Sequence, residues 1–158
     1  MDRITIIGTG LIGTSLGLAL KNAKLSNCEI IGHDKEPSAS SKAQRRGAID
    51  KADRNLISAV EGAQIIIIAT PPMAIRETME YIASYLPEGV LVTDTGSTKS
   101  NVLKWADEIL PAGVNFVGGH PMAGRESSGP EAAEATLFDG ATYAICATPS
   151  AESQAVQT

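Results

Sequence analysis

His120 is one of two histidines in the 158-residue chain, and it stands in VGGHPMAGRESSG, residues 117–129, among four glycines and a proline. An imidazole titrates near neutrality, so it can draw off the hydroxyl proton of an alcohol as hydride departs. Capping a glycine-rich turn is the competing role for such a residue. Upstream, TDTGSTK, residues 93–99, places Ser97 directly after Gly96. A serine there serves either as a helix N-cap or as the hydroxyl partner of a base.

A second group of residues is suited to holding a dinucleotide. Gly8-Thr9-Gly10-Leu11-Ile12-Gly13 is a G-x-G-x-x-G run that follows an apolar stretch and opens a helix-compatible one. Gly8 allows a tight turn, Gly10 lets backbone approach a pyrophosphate, and Gly13 permits close packing of helix on strand, while the free N–H groups of the helix start attract phosphate. The next β-branched run ends in Gly32-His33-Asp34, about 20 residues on, where a carboxylate accepts hydrogen bonds from ribose hydroxyls and repels a 2′-phosphate. NAD is therefore favoured, with NADP the lesser alternative through the neighbouring Lys35. His33 and Asp34 point to opposite faces of a strand, so His33 reads as an adenine-side or solvated neighbour and not as half of a catalytic pair. Ala69-Thr70-Pro71-Pro72 and Gly96 end later strands and belong beside the same cofactor.

Elements able to position these residues recur along the chain. Strands are expected at 3–8, 28–33, 63–70, 89–94, 114–119 and 142–148, and helices at 11–23, 37–46, 72–85 and 97–110. The stretch around His120, as far as Gly129, reads as loop. Several strands are continuously apolar, as in a parallel sheet covered on both faces. The expected fold is thus α/β, a Rossmann-type doubly wound, mostly parallel sheet with helices on both faces, and with its ligand site beyond the carboxyl ends of the strands. The closing TPSAESQAVQT reads as a turn and the opening of another helix, with Ser150 and Ser153 as candidate caps.

Bulk properties narrow the function classes. A formal charge of −5 gives no electrostatic reason to expect nucleic acid or an anionic membrane as partner. The apolar run at the N-terminus is too short to span a bilayer, which makes the cytoplasm the default location. Cys28 and Cys146 lie in apolar runs without metal-ligand spacing, and read as buried thiols with neither disulfide nor metal.

GTGLIG, ATPP, TDTGSTKSNV and above all GGHPMAGRESSGPEAAEATLFDGATYAICATP together resemble the nicotinamide-binding domain of prephenate and arogenate dehydrogenases, over essentially the whole chain. The resemblance implies oxidative decarboxylation on the route to tyrosine. It places the catalytic histidine on His120, its partner serine on Ser97, and the mouth of the substrate site at Arg125 and Glu126. It further implies a nucleotide-binding unit over 1–148, with 149–158 beginning a link toward a helical substrate and dimerisation domain that these residues do not include. The full-length protein would be a homodimer acting on prephenate or arogenate. A stand-alone NAD-binding module without chemistry is the alternative, as is a β-hydroxyacid-type dehydrogenase, although such enzymes take a catalytic lysine from a later helix that this chain has no room to contain.

Overall fold

Ile65 to Ile68 are four isoleucines in a row, and their side chains divide between two cores. Successive strand residues face opposite sides of a sheet, so Ile66 and Ile68 enter one apolar cluster with Ile75, Met79 and Val102. Ile67 packs on the other, with Ile6, Ile30 and Ile49. A strand apolar on both faces needs helices on both, which is the physical origin of the layered architecture.

The computed structural model describes residues 2–148, 151 and 153–157. Seven strands, β1 (Asp2–Ile7), β2 (Cys28–His33), β3 (Lys51–Ala52), β4 (Ile65–Ile68), β5 (Leu91–Asp94), β6 (Asn115–Pro121) and β7 (Tyr143–Ala147), form one sheet in the order β3-β2-β1-β4-β5-β6-β7. The first six are parallel and β7 is antiparallel to β6. The described helices are α1 (Leu11–Asn22), α2 (Pro37–Arg45), α3 (Leu56–Val60), α4 (Pro72–Ile82), α5 (Lys99–Ile109) and α6 (Ser153–Gln157). Order reverses between β1 and β4, which puts a crevice at the carboxyl ends of those two strands. The expected doubly wound, mostly parallel α/β fold is the one found.

Several details differ from the sequence reading. Three short elements were not expected: a 3-10 turn over Pro130–Ala132, β3, only two residues long, and α3, only five, its start fixed by Asn55, whose side chain accepts from the Ile57 and Ser58 amides. None is long enough to show a period. β6 continues through His120 to Pro121 because β7 pairs with it there, His120 opposite Ala144 and Pro121 opposite Tyr143. The histidine is thus on a strand end and not in a loop. α5 begins at Lys99 with Thr98 at its cap position, two residues later than expected. Cys28 and Cys146 are free and only half-buried, because one opens β2 at its exposed end and the other lies on the edge strand. Of the expected caps, Ser150 lies outside the described residues, and Ser153 is the first residue of α6.

Among the described residues no helix is long and apolar enough to cross a membrane. No group of three His, Cys, Asp or Glu among them is placed to hold a metal ion.

Candidate functional site

The five long parallel strands deliver their last residues to one edge, and a cleft of about 1180 Å³ opens there. Its floor begins with the turn after β1. Gly8 has φ +93°, and a Cβ on it would lie 2.6 Å from the Ala69 carbonyl oxygen, so only glycine lets the β1 turn pass the end of β4. The Gly8 amide donates to the His33 carbonyl at 2.8 Å and the Ala69 amide to the Ile7 carbonyl at 2.7 Å. Three strand ends are tied together by these bonds.

Asp34 fixes the glycine loop. Its Oδ2 accepts from the Thr9 amide at 2.7 Å and from the Thr9 hydroxyl at 3.2 Å, and its Oδ1 accepts from the Glu36 amide at 2.9 Å. Each carboxylate oxygen has two lone pairs, so Asp34 retains acceptor capacity toward the cleft. Gly10 is the N-cap of α1, and a Cβ on it would meet no heavy atom within 4 Å. Open space thus faces the unpaired amides of the helix start. Leu11 and Ile12 line the same wall, whereas Thr9 and Gly13 are buried beneath it. Their work is internal: Thr9 holds Asp34, and a Cβ on Gly13 would collide with the Gly8 carbonyl.

Lys35, Ala69, Thr70, Pro71, Pro72 and Gly96 all border the cleft. Thr70 Oγ1 is buried without a hydrogen-bond partner among the described residues, and such a group costs free energy until a partner arrives. His33 lies on the floor, its Nδ1 2.9 Å from the Asp53 carbonyl oxygen. A carbonyl can only accept, so Nδ1 carries the proton.

Ser97 and His120 share this cleft with the glycine loop. Ser97 is exposed and is not the cap of α5, which leaves its hydroxyl available. His120 is partly buried, two residues beyond the Gly118 that pairs with Asp94. Arg125 and Glu126 stand at the mouth, where Arg125 donates to Glu134 at 2.5 Å. The segment beyond them is anchored to the end of α2: Arg46, just past that helix, donates to the carbonyls of Pro130 at 2.5 Å, Glu131 at 2.6 Å and Ala133 at 2.7 Å. The Glu134 amide donates to Ser15 Oγ of α1 at 3.1 Å.

Two residues in the heart of this edge were not singled out from the sequence. Asp94, wholly buried at the end of β5, pairs with Lys99 of α5, whose side chain is 13% exposed. The Lys99 ammonium also donates to the Gly119 carbonyl at 2.7 Å. Adjacent Tyr143 has its hydroxyl pushed above its usual pKa by burial and then by the charge of Asp94. Only the i, i+5 spacing of Asp94 and Lys99 hinted at the pair, and that spacing alone is common. Arg54, Leu56, Ile57 and Tyr81 also line the cleft unforeseen, because α3 and the outer face of α4 bring them there.

Comparison with known proteins agrees with this geometry. Residues 16–158 match the family model described as prephenate dehydrogenase, nucleotide-binding domain, a stretch that leaves out the widely shared glycine loop. The chain is 42% identical over 147 residues to a prephenate dehydrogenase of Lactococcus lactis subsp. cremoris, covering 92% of this chain and 41% of that protein. It is 40% identical over 157 residues to a prephenate dehydrogenase of Bacillus subtilis, covering 99% and 42%. The chain therefore spans less than half the length of these two relatives. Among solved structures, prephenate dehydrogenase from A. aeolicus in complex with hydroxyphenyl propionate and NAD+ superposes with a TM-score of 0.89 at 28% identity, covering 99% of this chain and 54% of that one. Arogenate dehydrogenase from Synechocystis gives 0.89 at 31% identity, covering 98% and 53%.

Proposed function

Because the chain belongs to the prephenate dehydrogenase family, whose nucleotide-binding domain it carries, we propose that it binds NAD in the strand-end cleft for the oxidative decarboxylation of prephenate to 4-hydroxyphenylpyruvate, or of arogenate to tyrosine. The observation that carries this reading is the meeting, in one cleft, of a glycine loop held by Asp34 with Ser97 and His120. A dinucleotide suits the open space before Gly10, the volume of the cleft and the unpartnered Thr70 hydroxyl. Gly8, Gly10, Leu11 and Ile12 would receive the pyrophosphate, with Thr9 and Gly13 shaping the loop from beneath. Asp34 and Lys35 would border the adenosine ribose, and Ala69, Thr70, Pro71, Pro72 and Gly96 the remainder of the cofactor.

Bound there, the oxidised nicotinamide supplies the acceptor for the hydride leaving the ring carbon that bears the 4-hydroxyl. His120 hydrogen-bonds that hydroxyl and draws its proton away as the carbon is oxidised. Ser97 orients the imidazole and approaches the same oxygen. The ring carboxylate then leaves as CO2, its bonding electrons complete the aromatic ring, and the proton returns to the phenolic oxygen. Arg125 and Glu126 border the entry of the substrate. In this reading residues 1–148 form the NAD-binding unit and 149–158 begin the connection to a substrate and dimerisation domain; the relatives are more than twice as long as the stretch they share with this chain. The full protein is a cytoplasmic homodimer in this reading.

Titration calorimetry tests the cofactor half: NAD binds, and NADP binds at least about tenfold more weakly because Asp34 repels the 2′-phosphate. His120→Asn tests the chemistry in a form that turns over prephenate. It lowers kcat about 100- to 10,000-fold, the range for loss of a positioned acid–base group, and leaves NAD affinity within about threefold. Equal loss of both would make His120 structural and would overturn the reading.

A further inference from the structure

We propose that the buried Asp94–Lys99 ion pair is a positioning device that sets Ser97 and His120 against each other across the gap between β5 and β6. The assignment of those two residues to the chemistry is the reading given above, on which this inference rests. Apart from the bond within the pair, each side-chain hydrogen bond it makes among the described residues ends on a backbone group next to one of them. Asp94 Oδ2 accepts from the amide of Gly96, the residue before Ser97, at 2.8 Å. Asp94 Oδ1 accepts from the amide of Gly119, the residue before His120, at 3.3 Å. Lys99 bonds Asp94 Oδ2 and donates to the Gly119 carbonyl at 2.7 Å. One carboxylate thus holds both segments, and one ammonium locks the carboxylate to the second of them.

The glycines around His120 make room for the pair. A Cβ on Gly119 would lie 2.7 Å from the Asp94 carbonyl oxygen, one on Gly118 3.3 Å from Lys99 Cδ, and one on Gly96 2.9 Å from Asp94 Oδ2. Stability alone does not call for this arrangement, since buried ion pairs exchanged for packed apolar groups are often neutral or better. What an apolar pair would lack is direction: it could not hold two amides and a carbonyl at fixed angles. Lys99, with two of its three N–H donors on Asp94 and Gly119 and its side chain outside the lining of the cleft, acts through the backbone and not on substrate.

Amide hydrogen exchange and the His120 ring resonance of the 158-residue chain decide the matter, with neither cofactor nor substrate present. In Lys99→Met, exchange of the Gly96 and Gly119 amides accelerates together by at least about tenfold while amides of β1 and β4 keep their protection, as for a local opening. The His120 Cε1–H signal broadens or splits, and that of His33 does not change. Lys99→Arg restores both readouts. Should Lys99→Met not fold, the double variant Asp94→Asn, Lys99→Met, which strands no buried charge, gives the same two readings. Wild-type exchange at Gly119 with an unchanged His120 signal overturns the proposal, and so does a uniform loss of protection throughout the sheet. Failure of the 158-residue chain to bind NAD would count against the functional reading and would leave the exchange result standing.

Discussion

At the scale of single residues, the cleft is built by what is missing from side chains as much as by what they carry. Gly119 has Tyr143 on one side and Asp94 on the other: a Cβ would lie 2.5 Å from the Tyr143 hydroxyl and 2.7 Å from the Asp94 carbonyl oxygen. The Tyr143 ring tip can give way, but the Asp94 carbonyl belongs to the backbone of β5 and cannot retreat freely. Gly119→Ala is therefore expected to destabilise the fold by about 1–3 kcal/mol, the usual range for an overpacked site. Thermal unfolding reads this directly, and Gly10→Ala, facing open space, serves as the comparison with a much smaller shift. Thr9 teaches a related point. It belongs to the dinucleotide motif yet is fully buried, and both its amide and its hydroxyl hold Asp34.

Between elements, polar bridges fix angles that apolar packing leaves loose. Asp50 lies between α2 and β3 and reaches both the Ile30 amide of β2, at 2.8 Å, and Lys21 of α1, at 2.5 Å. Burial alone would raise its pKa, but the Ile30 N–H and the Lys21 ammonium outweigh burial and hold the carboxyl below its usual value. A lowered folded pKa means that the unfolded chain binds the proton more readily. The bridge thus contributes fully above the ordinary carboxylate range, near pH 4, and is lost as pH falls through that range to the lower folded value. Asp53 behaves likewise: burial opposes ionisation, and bonds from the Asn55 amide, Ser58 and Lys51 favour it more. Unfolding temperatures of wild type and Asp50→Asn should differ at neutral pH and converge below about pH 4. A difference that persists in acid would assign the effect to packing.

For the whole molecule, the cleft is open to solvent: strand ends, the glycine loop, α3, α4 and the segment after His120 line it, and Ser97, Arg125 and Glu126 are exposed along it. Positioning of substrate contributes much of an enzyme's rate, and relatives devote more than half their length to residues beyond this region. The 158 residues are accordingly expected to bind NAD but to oxidise prephenate weakly or not at all by themselves. NADH absorbance measures this, and near-normal turnover would show that the chain suffices. The sequence by itself determined the layered fold, because runs apolar on both faces demand helices on both and because G-x-G-x-x-G followed by a distant aspartate carries its own local geometry. It also offered His120 and Ser97 as candidates for chemistry, although spacing alone left capping open for both and only the resemblance to a family favoured the chemical role. Only the tertiary structure decided that His120 ends a strand and not a loop, through pairing with a β7 far along the chain. It alone brought Asp94 and Lys99 into contact with Gly119, that Thr9 faces inward, and that Arg46 anchors a segment 84 residues away. Contacts of that kind depend on how separate elements are stacked, and no local pattern of residue types encodes them.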